Sequence, residues 1–309
     1  MIVSNCGGRR RIRVTKYRRV SDMRRRRSAL RWRSTARGSA SGTGRRAFSI
    51  CIVRELGFVV GLVMLTSGTL LVAQTDKVRS ALDKLVVAYP DLIAGHDAEA
   101  LHWRDGTEMP VSDSTGSKTL SELLGQASIV DQFRIPYPYG PLEKSPTAGA
   151  DPGRFRNIAF FTKMYGHCQK GEVLPRLVSL AWLPRAWGKP IRITSVNHVD
   201  EHLRAVSAEI DALPEKIKRA AYPVAGTYNC RVVVDTGQPS PHSYGIAIDL
   251  NTAYADYWHW QPHAGSITYR NRMPQEIVSI FEKHGFIWGG KWYHYDTMHF
   301  EFRPELLVE

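Results

Sequence analysis

The chain has 309 residues and a formal net charge of +13, which by itself would favour a nucleic-acid or anionic-membrane partner. The charge is unevenly distributed, because residues 1–54 carry a net +16 and residues 55–309 a net −3. A nearly neutral folded part gives no general reason to expect polyanion binding. We therefore expect no nucleic-acid partner.

The N-terminal region has the composition of a targeting segment. Residues 1–56 are rich in arginine and serine without apolar periodicity, which predicts a disordered basic leader. The apolar run at 57–74 is typical of an export signal that is cleaved or kept as an anchor. A twin-arginine motif at Arg45-Arg46 and a nucleic-acid-binding arm are the alternative interpretations. We expect a periplasmic or cell-envelope protein that contacts the membrane only through 57–74, if that run is retained.

The elements upstream of residue 150 are predicted from local patterns. Residues 76–90 carry a helical apolar stripe, and 101–111 alternate around a central Asp-Gly, which indicates a hairpin. The proline- and glycine-rich stretch at 134–153 predicts a loop or wrapping segment. The sequence leaves open whether 75–150 form a separate lobe or an N-terminal wrap.

Residues 151–309 are predicted to form one domain. Asp151 is expected to cap a helix that has Pro152 at its first position and ends at Gly166. The further predicted elements are strands at 177–183 and 191–196 and helices at about 200–213 and 274–284. Helices alternate with antiparallel-looking strands without a βαβ rhythm, so the predicted class is α+β with a small antiparallel sheet near the C-terminus.

Two cysteines lie downstream of the leader. In an oxidising compartment Cys168 and Cys230 could form one disulfide, and two unpaired buried thiols are the alternative. Two thiols alone cannot build a cysteine-rich zinc site.

The segment GIAIDL at 245–250 alternates between an apolar face and a face of two small residues and Asp249. His242 lies an odd seven residues before Asp249, so on a continuous strand the two side chains would face opposite ways. We therefore predict that the preceding turn brings His242 back over the sheet.

The segment KWYHYDTMHFEF at 291–302 poses the same problem. His299 and Glu301 share a strand face, but Asp296 is an odd three residues from His299. This spacing predicts a bend or bulge near Thr297, an irregularity that is frequent beside active sites.

These two segments contain the groups of a catalytic zinc site. Two imidazoles and one carboxylate, on His242, Asp249 and His299, are a common protein ligand set for Zn²⁺, with a fourth position left for water. Asp296 lies where it could handle the proton of that water.

The same segments resemble two signatures of the M15 peptidases, the family of D-alanyl-D-alanine carboxypeptidases and L-alanyl-D-glutamate endopeptidases. The first signature, SxHxxGxAxD, is matched by Ser240-x-His242-x-x-Gly245-x-Ala247-x-Asp249, and the second by Asp296-x-x-His299-Phe300-Glu301. Clear resemblance covers about 225–303 and implies a hedgehog-like α+β fold.

The resemblance also implies roles for particular residues. It implies zinc on the two histidines and Asp249, Asp296 as general base, and Arg231 as a substrate- or oxyanion-contacting arginine. Ser240 and Tyr244 are further candidate substrate contacts. Aspartate at 296, where the dipeptidase branch has glutamate, is more similar to the endopeptidase branch.

The expected function is an exported zinc peptidase whose partners are the stem peptides of peptidoglycan. A catalytically inactive, zinc-containing wall-binding module is the alternative. A basic-tailed nucleic-acid binder would leave the C-terminal motifs unexplained. The sequence does not decide between carboxypeptidase and endopeptidase activity.

Overall fold

A computed structural model describes residues 76–113, 116–234, 236–262 and 266–308. The predictions for the basic leader and for the apolar run at 57–74 lie outside the described residues. Within the described ranges, no helix is both long enough and apolar enough to cross a membrane.

The described chain begins with helix α1 over 76–88 and a three-stranded antiparallel sheet. The strands are β1 (Ile93–His96), β2 (Ala100–Trp103) and β3 (Glu108–Pro110). The predicted hairpin is confirmed, because β2 pairs with β3 across a turn in which Gly106 adopts a φ of +81°. A left-handed φ at this position suits the Asp-Gly turn that the sequence contains.

Helices α2 (Leu120–Gln126) and α3 (Ile158–Tyr165) follow. The start predicted for α3 at Asp151 is wrong. Asn157 caps the helix, because its side-chain oxygen accepts a hydrogen bond from Phe160 N at 2.8 Å. Gly153 has a φ of +83°, which prevents a continuous helix from Pro152 onward. The predicted end at Gly166 is confirmed, where φ is +94°.

The middle of the chain closely follows the predicted pattern. Strands β4 (Leu177–Ala181) and β5 (Pro190–Thr194) form an antiparallel pair, and helix α4 (Val199–Ala212) packs against them. Helix α6 (Gln275–Lys283) also lies against α4. A short helix α5 (Glu215–Lys218) was not predicted.

The C-terminal sheet has the order β6-β8-β7, with β6 (Ala247–Asp249), β7 (Phe286–Trp288) and β8 (His299–Phe302), all antiparallel. The predicted α+β class with small antiparallel sheets is confirmed. One apolar core connects this sheet with α1 and the first sheet, and its fully buried members include Leu85, Ile93, Phe161, Ile248, Phe281 and Phe300.

A buried ion pair fastens the proline-rich segment to the C-terminal part. Lys291 Nζ contacts Glu282 Oε1, and both side chains are at most 1 % exposed. The same ammonium donates to the carbonyls of Pro138 and Gly140 at 2.5 Å each. Tyr137 Oη donates to Glu282 Oε1 at 2.6 Å. Every charge in this cluster therefore has several partners.

Replacing Glu282 by alanine should lower the free energy of unfolding by about 3–5 kcal/mol, because it leaves the Lys291 ammonium buried without its counterion. Chemical denaturation measures the change. Glu276→Ala, at an exposed position of the same helix, is the matched control and should cost less than about 1 kcal/mol. Equal losses in the two variants would contradict the assigned role of the pair.

Candidate active site

His242 is positioned by a tight turn. A 3-10 turn, Pro241–Tyr244, ends at Gly245 with a φ of +71°. A Cβ atom at Gly245 would lie 2.7 Å from Leu177 Cδ2 and 3.2 Å from Thr194 N, so both conformation and space require glycine. The turn reverses the chain before β6 and places His242 Nε2 3.1 Å from Asp249 Oδ2. The predicted return of His242 over the sheet is confirmed.

A second turn positions Asp296. Residues 297–298 form a turn in which His299 N donates to Asp296 O at 3.2 Å, and strand β8 begins only at His299. The bend predicted near Thr297 is confirmed. It allows Asp296 and His299 to line the same cleft despite their odd spacing.

The register of β6 on β8 brings the predicted metal ligands together. Asp249 and His299 are directly opposite each other, and His299 Nδ1 lies 2.9 Å from Asp249 Oδ1. His242, Asp249 and His299 each offer a ligand atom, and these atoms lie within 4.8 Å of one another. The cluster could therefore hold one metal ion.

The tautomer of the His242 ring is the one that a metal ligand needs. Its Nδ1 is 2.6 Å from the carbonyl oxygen of Thr227, which can only accept, so Nδ1 carries the proton. The lone pair of Nε2 then points toward Asp249, and this buried atom makes no hydrogen bond in the described part of the chain. A carbonyl partner on the far ring nitrogen is the usual support of a metal-binding imidazole. Two imidazoles and a carboxylate suit a borderline cation such as Zn²⁺.

Glu301 supports His299 from the other side. The fully buried carboxylate lies 3.2 Å from His299 Nε2 and accepts from Arg156 Nε at 3.2 Å and Arg303 Nη1 at 3.3 Å. Burial alone would raise the pKa of Glu301, but Arg156, His299 and Arg303 hold it well below its ordinary value. Glu301 therefore stays ionised and orients the His299 ring so that Nδ1 faces Asp249.

The network behind Glu301 extends into the N-terminal part. Arg303 is fully buried and donates through Nε to Glu305 at 2.5 Å. Glu305 also accepts from Tyr89 Oη at 2.6 Å, just beyond the end of α1. This buried chain of charged groups therefore links the second histidine of the cluster to the first helix.

Charges around the cluster shift its acid–base groups. Burial would lower the pKa of His299, but its hydrogen bonds to Asp249 and Glu301 raise it to about 10. Burial and the neighbouring Asp249 charge raise the pKa of Asp296 to about 7. Asp296 Oδ1 is buried and has no hydrogen-bond partner among the described residues. A carboxyl in this state can accept and release a proton near neutral pH.

The predicted substrate contacts are in different places. Arg231 and Ser240 line the same cleft as Asp296 and His299. Tyr244 is 2 % exposed, its ring packs beside Phe161, and it does not line this cleft. It lines a neighbouring pocket together with Arg231, and its role as a substrate contact stays a prediction.

Cys168 and Cys230 form a disulfide, which decides between the two interpretations left open by the sequence. It joins the segment after α3 to the residue that precedes Arg231. The backbone N of Arg231 also donates to Ser243 Oγ at 3.0 Å, so the chain that follows Cys230 is held near the His242 turn.

Sequence reasoning missed some residues around the cluster. The sequence pattern places Glu301 on the His299 face, and its position two residues along the strand is a usable signal for its supporting role. Arg156 lies between a loop and a helix cap, and no local pattern marks it as a partner of Glu301.

Residues 234–302 match a family model described as D-alanyl-D-alanine carboxypeptidase, from the M15 peptidases. This segment belongs to the M15 peptidase family. The match includes the three clustered ligands and Asp296, and it supports a peptidase. Arg156 and Arg231 lie upstream of the M15 segment. No curated protein and no solved structure matches the chain significantly.

Replacing Glu301 by glutamine should weaken zinc binding about 10–100-fold, because the amide does not hold the His299 ring with a full negative charge. Competition with a chromophoric chelator measures the affinity. Glu276→Gln, at an exposed position, should bind zinc like the unmodified chain. Unchanged affinity in a folded Glu301→Gln protein would contradict the supporting role.

Proposed function

We propose that this chain is an exported zinc metallopeptidase that hydrolyses peptide bonds in the stem peptide of peptidoglycan. The observation that carries the proposal is the convergence of the His242–Asp249–His299 cluster with Asp296 in one cleft, inside the M15 segment. The activity of the matched family, D-alanyl-D-alanine carboxypeptidase, supplies the substrate class.

The residues have separate roles in this proposal. Zinc held by His242, Asp249 and His299 would polarise the scissile carbonyl and activate the attacking water. Asp296 takes a proton from that water and returns it to the leaving amine. Its Oδ1 atom is buried and has no hydrogen-bond partner among the described residues, so it is available for this transfer. Arg231 offers paired N–H donors to the developing oxyanion or to a substrate carboxylate. Ser240 lines the cleft beside it.

The reaction can be tested with the zinc-loaded full chain and purified muropeptides, with products identified by mass spectrometry. Asp296→Asn should lower the turnover rate about 10²–10⁴-fold while zinc stays bound, because the proton acceptor is lost. Asp91→Asn, at an exposed aspartate outside the cleft, should leave turnover unchanged.

The products and the controls separate the alternatives. Loss of a terminal D-alanine indicates a carboxypeptidase, and cleavage after L-alanine indicates an endopeptidase. Equal turnover with and without the Asp296 carboxyl would exclude it as the base. A zinc-loaded chain that binds muropeptides without cleaving them would be the non-catalytic wall-binding module.

Export is supported by the Cys168–Cys230 disulfide, because structural disulfides persist in oxidising compartments outside the cytosol. The apolar run at 57–74 would supply the signal or an anchor. We expect protein recovered from the cell envelope to begin after residue 74 if the signal is cleaved, which N-terminal sequencing measures. An envelope protein that has lost part of the basic leader but keeps 57–74 would instead indicate an anchor. A chain still starting at Met1 would contradict export by a cleaved signal.

A further inference from the structure

The loop at 150–154, outside the M15 segment, is fastened to residues 292–294. Tyr293 N donates to Ala150 O at 2.8 Å, and Trp292 Nε1 donates to Pro152 O at 2.7 Å. These bonds hold the loop against the chain that leads to Asp296. As a result, Arg154 becomes part of the wall of the catalytic cleft.

The Asp151 carboxylate holds two side chains at this wall of the cleft, those of His294 and Arg154. Its carboxylate is 2 % exposed and lies 2.7 Å from His294 Nδ1 and 3.6 Å from Arg154 Nη1. The backbone N of His294 donates to the other carboxylate oxygen at 3.0 Å. Both His294 and Arg154 line the cleft, so a buried anion fixes two side chains that face it.

Arg154 keeps most of its donors unused. Among the described residues, the contact with Asp151 is its one side-chain ion pair or hydrogen bond, and the guanidinium otherwise packs over the Trp292 ring at 5.9 Å. Arg156, two residues later, is instead bound to the Glu301 carboxylate. Arg154 is therefore the guanidinium of this loop that has donors left for a ligand.

The position of Arg154 indicates how far a group that it binds would lie from the scissile bond. The Trp292 ring contacts both Arg154 and the cluster, since its centroid lies 5.9 Å from the Arg154 guanidinium and 5.6 Å from the centroid of the His299 ring. An extended peptide advances roughly 3.3–3.6 Å per residue. A group bound by Arg154 would therefore belong to a residue next to, or a few residues from, the scissile bond.

We propose that Arg154, fixed beside His294 by their shared Asp151 carboxylate, forms a subsite that binds a free carboxylate of the substrate away from the scissile carbonyl. A guanidinium with free donors, stacked on an indole and held by a buried anion, matches a carboxylate better than a neutral group. Stem peptides offer this chemistry at the C-terminus and on the glutamate residue. The inference rests on the proposed peptidase function.

Binding without turnover tests the subsite. The zinc-loaded full chain carrying Asp296→Asn is titrated by calorimetry with two matched pairs of peptides. One pair ends in D-Ala-D-Ala as the free acid or the amide, and the other contains L-Ala-D-Glu with the glutamate carboxylate free or amidated. In one pair, the free acid should bind about 10–100-fold more tightly than its amide. The pair that shows the preference identifies the source of the carboxylate.

Added substitutions assign the preference to residues. Arg154→Gln should abolish the acid-over-amide ratio, His294→Gln should reduce it, and Arg154→Lys should retain part of it. Arg204→Gln, at an exposed arginine on α4, should leave the ratio unchanged. Circular dichroism confirms that each variant is folded.

Several results would overturn the subsite. They are equal affinities for acid and amide in both pairs, no measurable binding of either acid, a ratio that survives Arg154→Gln, or a ratio lost only with Arg231→Gln. The binding experiment needs no turnover, so an acid-over-amide affinity ratio that depends on Arg154 would support the subsite even if muropeptide cleavage failed. Conversely, cleavage without such a ratio would support the peptidase and not the subsite.

Discussion

The site depends on the pairing of two short strands. Asp249 on β6 and His299 on β8 are direct cross-strand neighbours, which places a carboxylate and an imidazole on the same face. A slip of one residue would turn one of them to the other face of the sheet. The left-handed conformation of Gly245 then returns His242 to this face. Glycine at 245 is thus required by backbone geometry, while the three ligands are required by chemistry.

Gathering these groups concentrates charge in the interior, which the fold has to balance. Glu301 is fully buried, Asp249 and Asp296 are half-buried, and all three carboxyls lie close to two histidines. An isolated carboxylate away from water is costly. Arg156 and Arg303 balance the negative charge of Glu301. Burial and the negative charge of Asp249 raise the pKa of Asp296, so this carboxyl is readily protonated. The N-terminal part also stabilises buried carboxylates, because the hydroxyl of Tyr89 donates a hydrogen bond to Glu305 and that of Tyr137 donates one to Glu282. The boundary predicted near residue 150 stays a prediction, although these hydrogen bonds cross it.

Sequence reasoning succeeded where the determinant is local. The odd spacings at His242 and Asp296 required reversals, and turns are present at both places. The hairpin and helices α4 and α6 follow from periodicity and from glycine and proline positions. It failed where the determinant is a distant contact. Asp151 has the composition of a helix cap, but its carboxylate is bound to His294, 143 residues away, and the helix begins later at Asn157.

The three arginines of the cleft differ through their partners. Arg156 is bound to Glu301 and acts on His299 through that carboxylate. Arg154 shares Asp151 with His294, so one anion serves two side chains. Arg231 has no ion pair in the described part of the chain, and its charge lowers the pKa of Asp296 against the effect of burial. Among the described residues, three arginines and one carboxylate, Asp296, line the cleft, whereas residues 55–309 as a whole carry a net −3. Local charge of this kind, rather than the overall charge of +13, determines which substrates the site can attract.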